Sequence, residues 1–152
     1  MRKFKVVLIA LIIFIGIQFF RPERNQSSTG HFPEDIATVY TVPPNVKSIL
    51  KITCYDCHSN NTSYPWYMNI QPVGWFMARH IRDGKEELNF NEYATYSEKR
   101  RRNKLKRMKE QVISGKMPLP SYTMLHADAR LTANQRELVL KWIDGTLIKM
   151  ER

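Results

Sequence analysis

The sequence predicts an all-α domain of about four short helices joined by long loops, preceded by an N-terminal transmembrane helix. Three observations carry this expectation. Apolar residues recur at helical spacing in four separate stretches, and alternating strand-like runs are nearly absent. Pro44, Pro72 and Gly115 stand where those stretches should start or stop. The first twenty residues hold an apolar run behind a basic start.

In that start, "MRKFKVVLIALIIFIGIQFFRPER", Arg2, Lys3 and Lys5 precede an unbroken apolar run over residues 6–17, which resumes at Phe19 and Phe20. A basic segment followed by an apolar one is the pattern of an export signal. Residues 4–20 reach the short edge of the roughly 17 to 25 needed for a spanning helix. No small-residue cleavage pattern follows, so residues 1–20 are expected to form an uncleaved signal anchor rather than a cleaved signal or a buried soluble helix. The leading positive charge points the N-terminus to the cytoplasm. The remainder would then lie on the periplasmic, outer side of a bacterial cytoplasmic membrane. Residues 21–44, with Pro22, Pro33, Pro43 and Pro44, read as a linker to a domain over residues 45–150.

Within that domain the first helix is expected over about residues 45–57. Asn45 would cap it, and Val46, Ile49, Leu50 and Thr53 would share one face. The second is expected over about 72–87, with Pro72 in its first turn and Trp75, Phe76, Arg79 and His80 on its surface. The third is expected over about 97–114, with Leu105, Met108, Val112 and Ile113 as its stripe and Gly115 as its stop. The fourth begins at Thr132, which forms a capping box with Gln135. Leu138, Val139, Trp142 and Ile143 follow, with Ile148 beyond. Short helices with long loops suit a chain that wraps a cofactor.

The chemistry centres on "TCYDCHSN", residues 53–60, which holds the only two cysteines, Cys54 and Cys57, followed directly by His58. C-x-x-C-H is the attachment pattern for c-type haem. Two thiols on one helical turn reach the two vinyl groups of one porphyrin, and the next imidazole meets the iron. The rivals are weaker. Zinc needs a fourth ligand, and His31, His80 and His126 show no paired spacing. A redox dithiol expects a βαβ setting. A disulfide between the two cysteines stays open in an oxidising compartment.

"SGKMPLPSY", residues 114–122, offers the other iron ligand. Met117 carries a soft thioether, and Pro118 and Pro120 would keep its segment from becoming helix. Sulfur ligation raises the reduction potential relative to a second histidine. His80, His126, Met124 or an open position are the alternatives, and Met117 as a core filler is the plainest one. Tyr64, Trp66, Tyr67, Trp75 and Phe76 are candidates to pack on the porphyrin or to bond its propionates. The Pro72 carbonyl is a candidate acceptor for the His58 ring N–H.

The order CYDCH, "SYPWYMNIQPVGW", "DGKEELNF", "GKMPLPSY…LHADARLT" and a Trp-containing last helix resembles the bacterial haem-binding domain family over about residues 35–148. These are small exported proteins similar to c-type cytochromes. The resemblance implies a cytochrome-c-like domain. It also implies Cys54 and Cys57 as thioether residues, with His58 and Met117 as axial ligands to iron.

The net charge is +10, and residues 98–116 hold nine Lys or Arg against Glu98 and Glu110. Such a segment suits a docking face for an acidic redox partner or for anionic head groups. A merely solvated helix face is the plainer alternative. Nucleic acid fits the charge but not an exported compartment. The expected function is a membrane-anchored mono-haem c-type cytochrome domain that carries single electrons and is not an enzyme. The alternatives are a haem-based sensor or peroxidase-type enzyme with a labile sixth ligand, and a non-haem module stabilised by zinc or a disulfide.

Overall fold

The structure, a computed structural model, describes residues 2–151. Met1, the first residue of the expected anchor, lies outside the described residues, as does Arg152. Eight α-helices follow one another among them: α1 (Arg2–Ile17), α2 (Ile36–Val39), α3 (Pro44–Thr53), α4 (Tyr55–His58), α5 (Val73–Glu87), α6 (Glu98–Ile113), α7 (Pro120–Thr123) and α8 (Ala133–Lys149). Three 3-10 turns, Trp66–Asn69, Phe90–Thr95 and Ala127–Ala129, join them. Among the described residues there is no strand, only one isolated bridge between Gln26 and Asn61.

The expected transmembrane helix is corrected. Among the described residues no helix is long and apolar enough to cross a membrane. α1 has 16 residues. At 1.5 Å per residue that spans about 24 Å, short of the roughly 30 Å hydrocarbon core. The helix stops because Gln18 turns back. Its Nε2 donates to the Phe14 and Gln71 carbonyls, and its Oε1 accepts from the Gln71 amide. Phe19 and Phe20 then close three-residue turns, and the Phe20 carbonyl accepts from the Trp75 indole at 2.6 Å. The end of the apolar run is thus bonded to the loop before α5 and to the first turn of α5 instead of lengthening the helix. The single-pass anchor, and the periplasmic placement that depended on it, lose their support.

Residues 21–44 lie along the domain. Asn25 donates to the Ser59 carbonyl and to Thr62, while Ile36 is buried in the main core. Asp35 caps α2 and accepts from Tyr55 and Asn91.

The main core gathers Ile36, Leu50, Phe90, Tyr93, Leu105, Val139 and Ile143 from α2, α3, the second 3-10 turn, α6 and α8. A smaller cluster holds Met68, Met77, Ile81, Tyr122 and Ala129. Cys54 and Tyr55 pack against the first cluster, Cys57 against the second. The CYDCH turn therefore sits where the two meet.

Most helix signals act as their chemistry requires. Ser97 caps α6 by accepting from the Arg100 amide, and Gly115 at φ 68° ends that helix in the left-handed region. Thr132 and Gln135 form the reciprocal capping box of α8. Four details differ. The expected helix over 45–57 breaks at Cys54 (φ −127°, ψ −40°), where the Thr53 hydroxyl bonds back to the Ile49 carbonyl. Pro44 rather than Asn45 opens α3, as a proline with no N–H to lose can. Pro120 likewise starts α7 instead of preventing helix. Ile113 and Ile148, expected on apolar stripes, are exposed.

Candidate functional site

The short helix α4 carries Cys57 and His58, with Cys54 as its cap. The His58 and Cys57 amides both return to the Cys54 carbonyl, which closes the turn. α5 lies directly against it. A Cβ added at Gly84 would stand 2.8 Å from the Cys57 carbonyl oxygen, so only glycine lets the helix approach this closely.

His58 is oriented by backbone. Its Nδ1 lies 2.9 Å from the Leu88 carbonyl. A carbonyl only accepts, so Nδ1 carries the proton and donates, and Nε2 keeps its lone pair. Burial lowers the His58 pKa from its ordinary value, so the ring stays neutral near pH 7. The Pro72 carbonyl, the acceptor expected from sequence, instead receives the Phe76 amide of its own helix. Burial pushes the Cys54 thiol up to about 11 and the Cys57 thiol up to about 12, so both stay protonated. A reactive redox dithiol needs the opposite shift.

A cavity of about 360 Å³ opens beside this turn, with Cys54, His58, Phe90, Met108, Met117 and Leu131 among its walls. An adjoining lobe of about 220 Å³ adds Cys57, His80, Gly84, Leu119 and Tyr122, and shares Cys54, His58 and Met117. The structure thus brings Cys54, Cys57, His58 and Met117 to two neighbouring spaces that share walls. His80 reaches the smaller lobe, with its Nδ1 bonded to the Phe76 carbonyl. His126 lines neither lobe; it bonds Tyr67 and stacks on Tyr122 at 4.1 Å. Met124 is exposed. A larger groove of about 1020 Å³, lined by Arg24, Trp75 and Arg82 among others, contains none of the four motif residues.

The expected aromatic lining is also displaced. Tyr64, Trp66, Tyr67, Trp75 and Phe76 line neither lobe, and Trp66 is 74 % exposed. Phe90 and Tyr122 take that place. The Tyr122 hydroxyl donates to Asp56 Oδ2 at 2.6 Å, which ties α7 to the CYDCH turn. Neither residue carries a local signal, because long-range packing alone brings them to the cavity. Lys104 and Arg107 were legible only as members of a basic run, yet both line the larger lobe.

These residues fit a haem. The walls are largely apolar, and the donors are a neutral imidazole nitrogen and a thioether, the soft and borderline ligands that iron porphyrins take. Among the described residues no group of three His, Cys, Asp or Glu side chains could hold a bare metal ion.

An all-helical domain with a C-x-x-C-H turn and a methionine beside one largely apolar cavity fits the class of haem-binding proteins. The model of the family described as haem-binding domain matches residues 12–145, and the chain belongs to that family. No curated protein and no solved structure matches it.

Proposed function

We propose that the protein binds one haem covalently through Cys54 and Cys57, holds its iron between His58 and Met117, and carries single electrons. The observation that carries this reading is the convergence of Cys54, His58 and Met117 on the walls of one apolar cavity. When bound, haem supplies an iron that takes up and returns one electron. Cys54 and Cys57, free thiols held on one turn, would be the residues that attach the group covalently. His58 presents Nε2 because Leu88 holds Nδ1–H. Phe90, Met108 and Leu131 exclude water. His58 and Met117 would be the two side chains that hold the iron, which favours a carrier over an enzyme with a labile ligand.

The proposed partner is a redox protein with an acidic face that meets α6. Part of the basic run is answered internally, since Lys109 bonds Asp144 at 2.6 Å and Arg102 pairs with Glu151. Lys99, Lys106 and Lys116 make no ion pair among the described residues and would carry the long-range attraction. The association rate should fall as salt rises.

The test is expression with a c-type haem maturation system. Haem should stay with the chain through denaturing electrophoresis, and Cys54→Ala with Cys57→Ala should release it. The ferric spectrum should show the weak sulfur-to-iron band in the red, absent in Met117→Ala. A colourless denatured band sinks covalent attachment. Rapid carbon monoxide binding to the reduced protein sinks the six-coordinate carrier.

A further inference from the structure

α6 turns one stripe toward the larger lobe: Lys104, Arg107, Met108, Gln111 and Val112, at helical spacing. Its Met108 and Val112 end is ordinary apolar wall, whereas its first turn puts two cations at a largely apolar space that Glu87 and Gln111 also line. Lys104 is the unusual one, with a side chain only 13 % exposed. Its Nζ stands 3.7 Å from Glu87 Oε2, beyond hydrogen-bonding reach. The same oxygen also serves Arg107 at 3.0 Å. One carboxylate, itself 60 % exposed, thus answers two cations. Taking an ammonium out of water is costly unless it is paired and hydrogen-bonded. Lys109, one turn further on, differs, because Asp144 meets it at full hydrogen-bonding distance. The wall of this cavity therefore holds two cations that share one carboxylate, and Lys104 stands too far from it for a hydrogen bond.

We propose that Lys104 and Arg107 bind the two carboxylates of the haem, and that Glu87 competes with them for these cations. This rests on the cofactor reading above. The pair would set the orientation of the group relative to Cys54 and Cys57. Lys104 and Arg107 are positioning residues, since they act on the ring's periphery and not on iron.

The test uses the full chain without attached haem, its cysteines kept reduced. It is titrated with ferric haem and with haem dimethyl ester, in which both carboxylates are blocked, and binding is read by absorbance. The chain should bind free-acid haem at least about tenfold more tightly than the ester, since charge-assisted hydrogen bonds are at stake. Lys104→Gln with Arg107→Gln should abolish that preference while the helical circular dichroism persists. Glu87→Gln should tighten free-acid binding and leave ester binding unchanged. Equal binding of acid and ester by the unaltered chain overturns the carboxylate site and leaves the cofactor reading intact. A full preference retained by the folded double variant does the same. Binding of neither compound overturns both.

Discussion

Gly84 is where α5 touches the CYDCH turn, and the contact is with backbone. A side chain in the way could rotate aside, but the Cys57 carbonyl, 2.8 Å from a Cβ at this position, cannot. Gly84→Ala should therefore cost about 1–3 kcal/mol, the usual range for overpacking. It should also lower the fraction of chains carrying haem, because it moves the turn that presents Cys57 and His58. Urea unfolding checks the first effect, and unchanged stability would mean that α5 can slide away freely. His58 is set by an equally local device, since the Leu88 carbonyl chooses its tautomer. A backbone acceptor thirty residues away has no sequence signature, which is why Pro72 was the wrong candidate.

At the scale of elements, end chemistry decides where helices begin. Thr132 accepts from the Gln135 amide and Gln135 Oε1 accepts from the Thr132 amide, so two orphan donors of α8 are satisfied. α8 supplies Val139, Trp142 and Ile143 to the main core, so fraying its start would reach the interior. Thr132→Ala should lower stability by about 1 kcal/mol. Exposed Ile113→Ala should stay within about 0.5 kcal/mol. Thermal melting separates the two, and equal losses would place Ile113 in a contact that its exposure does not show. α1 shows the limit of composition as a guide. Its apolar run continues past Ile17 in sequence, but Gln18 bonds the chain to residue 71 and the helix ends.

For the whole molecule, two apolar clusters flank the site, and Tyr93 is buried in one and Tyr122 in the other. The Tyr93 hydroxyl donates to the Arg101 carbonyl at 2.7 Å. Burial raises its pKa above the ordinary 10.0, and burial does the same for Tyr55 and Tyr122. The folded chain thus holds these protons more tightly than the unfolded one. The stabilisation is complete below the unfolded pKa, about 10, and is lost as pH rises above it. The melting temperature should fall steeply above about pH 10. The fall should be shallower in Tyr93→Phe, which has no proton to lose there. An equally steep fall in that variant would place the alkaline sensitivity elsewhere.

The all-helical class, the cap at Thr132, the stop at Gly115 and the CYDCH motif were all legible in the sequence alone. Each of these depends on residues within one or two turns, whose hydrogen bonds and backbone angles are local. Only the tertiary structure decided that Met117 rather than His126 reaches the space beside His58. It alone decided that Phe90 and Tyr122 replace the aromatic block as walls, and that Lys104 faces inward from a run that looked like surface. These outcomes depend on how α5, α6 and the loop after α6 cross one another, and that is set by burial of long-range apolar contacts. The length of α1 belongs with them. Hydropathy reports what residues 4–20 would prefer, whereas the bonds from Gln18 and Phe20 to residues 71 and 75 decided where the helix ends.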